Sequence, residues 1–257
     1  MSTGGRVNPL PLIIMPRTLF ISDLHLSPDH PRMTQGFFRY LEQARGADAL
    51  YVLGDLFEAW VGDDHRDDYN NAVIAGFRAL SNSGTRLFFV HGNRDFLLGQ
   101  GFATDTGGTL LPDSQVIEVQ GHHLLIMHGD QLCTRDEKYM AFRAQSRDPV
   151  WQQMMLEKPL DQRLMIASMW RMQSKAMNSN KPENIMDVTP DDVIRVLQEA
   201  GVATLLHGHT HRPAVHELDI AGQPVQRVVL GDWREDEGEA VTGIVDADGL
   251  RLETWRF

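Results

Sequence analysis

Seven side chains able to bind a metal sit at the ends of five short apolar runs. Thr18-Leu-Phe-Ile-Ser stops at Asp23 and His25, and Ala49-Leu-Tyr-Val-Leu-Gly stops at Asp55. Arg86-Leu-Phe-Phe-Val-His-Gly stops at Asn93, His123-Leu-Leu-Ile-Met at His128, and Ala203-Thr-Leu-Leu-His-Gly at His209 and His211. Carboxylate and amide oxygens mixed with imidazole nitrogens suit Mn, Fe, Zn or Mg better than soft-metal chemistry. Asp23 and His25 are two apart, so on an extended strand end both side chains point the same way. Gly54 lets the chain turn sharply before Asp55, whose two carboxylate oxygens can bridge two cations. Two divalent ions about 3.5–4 Å apart can activate water and clamp the leaving oxygen of an in-line phosphoryl displacement. A lone histidine in a Gly-His turn is more often structural, as is a lone Asp-X-His. Seven candidates in five blocks, each at a run's end, are not coincidence.

The elements that must position these residues follow from the same runs. Their length and their β-branched and aromatic content read as buried strands. In open α/β sheets ligands sit beyond the carboxyl ends of the strands, so all five ends meet at one edge. Residues 33–45 carry Phe37, Phe38 and Leu41 at helical spacing, and 69–80 carry Val73, Ile74, Phe77 and Leu80. This βαβ alternation predicts largely parallel strands covered by helices. Residues 116–119 pair through a Gln120-Gly121-His122-His123 turn with 124–128 as a hairpin. After His211, the stretches 214–220, 225–230, 241–246 and 250–256 read as shorter antiparallel strands. Pro190 after Thr189 marks a helix start.

Composition bounds the rest. With 257 residues, the chain suits one large domain or a domain with an insertion. A net charge of −11 excludes a nucleic-acid binder that relies on a basic face. The single cysteine, Cys133, excludes an intrachain disulfide and fits a reducing compartment. No apolar stretch approaches the roughly 20 residues of a membrane span, and residues 1–15 read as a mobile tail. Residues 131–186 stand apart: nine Lys and Arg against six Asp and Glu, all four lysines, and eight of the twelve methionines. Helical spacing over 135–146 and 160–178 makes 131–186 an inserted helical cap, with 16–130 and 187–257 as the core. Met154, Met155, Met165, Met169, Met172 and Met177, with Trp151 and Trp170, are placed to line an apolar groove. Arg171, Lys175 and Lys181 could hold phosphates or anionic headgroups. Trp60 and Trp233 read as packing residues, His91 and His207 as orienters of the ligand loops.

Asp23-Leu-His25, Gly54-Asp55, Gly92-Asn93-Arg94-Asp95, His128-Gly-Asp130 and Gly208-His209-Thr-His211 resemble, in order and spacing, the signature of the calcineurin-like metallophosphoesterases. The resemblance covers nearly all of the chain from residue 17. It implies an α/β fold of two packed mixed β-sheets flanked by helices. It also implies one metal on Asp23, His25, Asp55 and His211, and another on Asp55, Asn93, His128 and His209. Many members carry a proton-donating histidine after the asparagine; here the residue is Arg94. Arginine does not give up a proton near neutral pH, but it neutralises phosphate charge bidentately. That suits a leaving group already stable as an anion, and hence a pyrophosphate. An arginine here could instead pair with Asp95 or another acid.

With Arg94 in place, the wider strings 20–26, 54–60, 91–98, 185–188 and 206–216 resemble the UDP-2,3-diacylglucosamine pyrophosphohydrolases of lipid A biosynthesis. That resemblance implies hydrolysis to UMP and 2,3-diacylglucosamine 1-phosphate with two divalent ions, usually Mn²⁺. It implies a lipid-linked UDP-sugar substrate, peripheral contact with the cytoplasmic face of a bacterial inner membrane, and no obligate protein partner. Asp55, Asn93 and Arg94 would be catalytic; Asn93, Arg94, Asp136, Ser174, Asn178, Lys181 and His209 would contact substrate. Arg135 stands where the family often has the first of two acids after Cys-Thr, which sets aside any role needing that acid. The rival readings are a metallophosphodiesterase for a soluble nucleotide, or a protein phosphatase, and a non-catalytic scaffold. Arg94 and the apolar insertion count against the first, and the complete ligand set against the second.

Overall fold

Strands β1 (Thr18–Ile21) and β2 (Ala49–Leu53) are buried along their whole length, as parallel strands covered on both faces must be. The structure is a computed structural model describing residues 16–178 and 187–257, without the side chains of Lys175, Met177 and Asn178. The expected tail 1–15 and Lys181 lie outside the described residues. β1, β2, β3 (Arg86–Val90) and β4 (Thr109–Leu110) run parallel. β11 (Glu239–Asp246) joins β1 antiparallel and carries β10 (Trp233–Arg234) and β12 (Gly249–Arg256) on its flanks. The second sheet is ordered β5 (Ser114–Val119), β6 (His122–Met127), β7 (Thr204–His207), β9 (Gln223–Val229), β8 (Ala214–Ile220).

Two mixed sheets result, as the resemblance implied. Alternate residues serve opposite faces: Phe20 and Leu53 meet Ile126, Leu206 and Val228 between the sheets, while Leu19, Ile21, Leu50 and Val52 face the other way. Helices α1 (Pro31–Gln43) and α2 (Asp68–Asn82) cover that outer face with Phe37, Leu41, Val73 and Phe77. Helix α7 (Pro190–Ala200) covers the second sheet, packing Val193 and Leu197 on Leu125 and Leu205.

Several local expectations change. The hairpin closes over two residues, Gln120 and Gly121, both at positive φ (50° and 78°), so His122 and His123 belong to β6. The antiparallel reading of 225–230 holds against β8, but β9 also lies parallel beside β7. Two helices have no counterpart in the sequence reading, α3 (Gln100–Thr106) and α5 (Pro149–Leu156). Both are too short to show a 3.6-residue period. The start of α5 was nonetheless legible, because Asp148 accepts from the Trp151 backbone N–H at 2.8 Å and Pro149 follows it.

Helices α4 (Glu137–Ser146), α5 and α6 (Leu160–Asn178) lie between β6 and α7 in the chain. An aromatic cluster joins them to the outer core: Phe96 meets Phe142 at 6.2 Å and Trp151 at 6.1 Å, and Trp170 stacks on Trp151 at 5.6 Å. Only part of the expected methionine groove forms: Met155 and Trp170 line the cavity that also holds Arg94, and the other described methionines do not. Met154, Met165, Met169 and Met172 are 54–64% exposed, whereas Met155 is buried. Met165, Met169 and Met172 share one helix face, and the aromatic residues already occupy the inward face. The side chain of Met177 is not described.

Candidate metal centre

Five of the seven candidate ligands stand at the left-handed backbone: Asp23 (φ 54°), His25 (49°), Asp55 (51°), His209 (69°) and His211 (55°). Such conformations cost on the order of 1–3 kcal/mol each and persist only where the surroundings over-determine them. Here the surroundings are the neighbouring loops. Asp23 N donates to Gly54 O at 3.1 Å, His25 N to Asp55 O at 2.9 Å, and Gly208 N to His128 O at 2.9 Å. Asp95, fully buried, accepts from Leu56 N and Gly92 N at 2.7 Å each and clasps the second and third loops together. Burial raises its carboxyl pKa, and the nearby charge of Asp55 adds to the rise. Gly54 has φ +87°, and a Cβ there would lie 2.6 Å from His128 Nδ1. Gly208 has no room for a side chain either, since a Cβ would collide with the Asp23 carboxylate.

The ligand atoms converge in two groups. Potential ligand atoms of Asp23, His25 and His211 lie within 4.8 Å of one another, as do those of Asp23, Asp55 and His128. Asp55 faces both sides, with Oδ2 3.9 Å from His25 Nε2 and Oδ1 3.7 Å from His128 Nε2. Asn93 Oδ1 is 3.1 Å from His128 Nε2, and His209 Nδ1 is 3.2 Å from the same atom. His25 Nε2 and His211 Nε2 approach to 3.4 Å. All seven predicted residues are therefore brought together. Asp23 falls in both groups, and the Asp55 carboxylate lies between His25 and His128.

The charges of these side chains compensate one another. Burial works to raise the Asp23 carboxyl, but the contact and charge of His211, then His128 and His25, hold it well below the usual carboxylate range. Burial lowers His25, and lowers His209 to about 4 with help from the charge of His128. For His211, burial is outweighed by Asp23 and Asp232, which lift it to about 10. Divalent cations fit this set. Asp23 Oδ1 is buried with no hydrogen-bond partner among the described residues, and imidazole nitrogens face one another where a cation would separate them. Far nitrogens are held in turn: His128 Nδ1 by Leu53 O at 2.8 Å and His211 Nδ1 by Asp232 at 3.4 Å.

The centre opens into a cavity of about 680 Å³. Arg94 lines it; its backbone N–H donates to Asp55 Oδ1 at 2.8 Å, and its buried Nε has no partner among the described residues. The suggested pairing with Asp95 does not occur, because that carboxylate is taken by backbone amides. Asp136 and Ser174 also line the cavity, and Asp136 caps α4 by accepting from Tyr139 N at 3.1 Å. Asn178 ends α6 without a described side chain. The lining also holds the apolar Phe142, Met155, Ala167 and Trp170. His91 Nε2–H donates to Leu98 O at 2.7 Å, and His207 is buried, with burial and then Arg227 lowering it to about 3. Trp60 packs on Phe57 at 4.6 Å, and Trp233 is buried.

Sequence reasoning missed Asp232, Glu58, Asp130 and Tyr139. Asp232 had a signal, since 225–230 is a further apolar run ending in Gly231-Asp232. Asp130 was in view within His128-Gly-Asp130, but Tyr139 had no signal. Asp130 is buried and accepts from Arg143 Nε at 2.9 Å and Tyr139 Oη at 2.5 Å, while Tyr139 stacks on His209 at 6.0 Å. The model of the calcineurin-like phosphoesterase family matches residues 16–213.

The chain belongs to the calcineurin-like phosphoesterase family. Membership implies divalent metal ions, and the convergent donors fit them. Relatives match it almost end to end. A Chromohalobacter salexigens protein is 55% identical, covering 93% of this chain and 98% of its own length. One from Cellvibrio japonicus is 50% identical over 93% and 98%, and one from Pseudomonas aeruginosa is 49% identical over 91% and 96%. Each of the three is named UDP-2,3-diacylglucosamine hydrolase.

Proposed function

We propose that this chain hydrolyses the pyrophosphate of UDP-2,3-diacylglucosamine to UMP and 2,3-diacylglucosamine 1-phosphate, in lipid A biosynthesis. The observation that carries this is one cavity lined both by His25, Asp55, Asn93, His209 and His211 of the candidate metal centre with Arg94, and by the apolar Phe142, Met155, Ala167 and Trp170. Its relatives' shared name supports the same substrate. In this reading 16–130 and 187–257 form the core and 131–186 a cap. Asp23, His25, Asp55, Asn93, His128, His209 and His211 hold two divalent ions, Mn²⁺ in our assignment. When bound, such ions supply a water nucleophile at neutral pH and stabilise developing charge. Asn93 and His209 also face the substrate. The unpaired Nε of Arg94 gives a fixed positive charge for the phosphate oxygens. A departing phosphate monoester needs no proton, so the missing histidine is no handicap. Asp136 and Ser174, with Asn178 and Lys181, also contact the substrate.

No helix among the described residues is long and apolar enough to cross a membrane. The exposed Val150, Met154, Met165, Met169 and Met172 present an apolar face instead. Faces of this kind mark interaction surfaces, and we assign this one to peripheral contact with the cytoplasmic face of the inner membrane. The test is turnover of UDP-2,3-diacylglucosamine beside UDP-glucose and p-nitrophenyl phosphate, with and without Mn²⁺. Metal-dependent preference for the acylated substrate is expected; preference for an unacylated one would overturn the lipid assignment.

A further inference from the structure

Glu58 lies three residues after Asp55 and lines the cavity, yet none of the roles above uses it. Its Oε2 is 2.9 Å from His25 Nδ1, although out of line for a ring N–H hydrogen bond. The opposite nitrogen of that ring, Nε2, faces the centre, 3.4 Å from His211 Nε2 and 3.9 Å from Asp55 Oδ2. Glu58 is itself held at both ends. Its backbone N–H donates to Leu26 O at 3.1 Å. From helix α6, Arg171 pairs with its carboxylate and donates Nη1–H to its carbonyl at 3.0 Å. Arg171 and Glu58 are 113 residues apart in the chain.

We propose that Glu58 is the positioning residue of His25, and that Arg171 fixes Glu58, so the helical segment and the metal edge share one carboxylate. A carboxylate beside Nδ1 keeps the proton on that nitrogen. Nε2 is then left as the lone-pair donor, in a fixed ring orientation and with greater basicity. His128 and His211 have far-nitrogen partners within the core, Leu53 and Asp232. The partner of His25 alone among these three reaches on to α6. Arg171 is therefore assigned to holding Glu58, where the sequence suggested a phosphate or headgroup contact. Displacing α6 would release Glu58 and loosen the His25 donor.

This inference rests on the two-ion reading above, and the experiment separates them. Metal-free full-length protein is titrated with Mn²⁺ by calorimetry, for the natural sequence and for Glu58→Gln, Glu58→Ala and Arg171→Met, with thermal unfolding measured in parallel. The natural protein is expected to bind two ions. Glu58→Ala is expected to weaken one of the two sites by about 10- to 100-fold, the range for partners of metal-bound histidines. Glu58→Gln keeps the shape and should recover part of that loss, and it preserves the test if the alanine variant does not fold. Arg171→Met should weaken the same site by a smaller factor. Two ions bound by folded Glu58→Gln and Glu58→Ala with natural affinities would overturn the role of Glu58. An unchanged site in Arg171→Met, with Glu58 variants weakened, would overturn the link to α6. No Mn²⁺ uptake by the natural protein would overturn the two-ion reading and this inference with it.

Discussion

The two walls of the cavity are built by opposite means. On the metal edge, each functional side chain sits within two residues of a strand end or in the loop that follows. Its direction is set by backbone: left-handed φ values, glycine turns, and amide-to-carbonyl bonds between adjacent loops. On the helical wall, position is set by side chains reaching far along the chain. Arg163, almost fully buried, donates to Val61 O at 2.6 Å and pairs with Asp64. Arg143 spans Asp113 and Asp130 at 2.7 Å and 2.9 Å, and Arg171 reaches Glu58. The first construction stores strain to fix atoms closely; the second tethers a segment at a few points and leaves an apolar face outward. Metal chemistry tolerates little displacement, whereas an apolar wall tolerates more.

Substitutions can break or sharpen that contrast. The largest effect belongs to the strained edge: Asp55→Ala should abolish turnover and remove both ions, read by elemental analysis of the purified protein. Full metal content with near-normal turnover would end its bridging role. Arg94→Ala comes next, lowering kcat by about 10²–10³-fold, the usual cost of one charge-stabilising donor, with Mn²⁺ content unchanged. Unaltered turnover would remove Arg94 from the chemistry. On the helical wall, Met165→Glu with Met169→Glu should reduce sedimentation with anionic lipid vesicles by at least about tenfold, since each exposed methionine offers about 1.5 kcal/mol of burial. Vesicle binding equal to that of the natural protein would move membrane contact elsewhere.

Smaller effects test the tethers and the strain. Arg163→Ala should cost about 1–2 kcal/mol, because a buried backbone carbonyl and one ion pair lose their donor while Asp64 stays in water. Limited proteolysis should then cut the helical segment first; unchanged protection would mean the aromatic cluster alone holds it. The smallest change is Ala221→Gly in the β8–β9 turn, where Ala221 also has positive φ (52°). Relief of left-handed strain, partly offset by unfolded-chain entropy, should raise stability by a few tenths of a kcal/mol with no change in turnover. A destabilised variant would show that positive φ in this fold carries no cost to relieve.

Legibility followed the same division. Short apolar runs ending in donors were readable because a strand end and its loop are consecutive in sequence, and the parallel arrangement brings such ends together. By the same rule Asp232 was readable too, since Gly231-Asp232 ends the run 225–230. Glu58 was in view inside 54–60, but nothing local shows that its partners are His25 and a helix more than a hundred residues on. The methionine face misled for a related reason. Periodicity assigns residues to one side of α6 but not which side turns inward, and Phe142, Trp151 and Trp170 filled the inner side.

The sequence by itself therefore determined the candidate metal edge: which seven donors stand on which five strand ends, with Arg94 beside the third. Those facts are local, fixed by the period of a strand and the turn that ends it. Only the tertiary structure decided which nitrogen each imidazole turns to the centre, which carboxylate holds it there, and which way the helical wall faces. Those depend on contacts between distant segments, where packing and ion pairing choose among arrangements that the local pattern leaves equal.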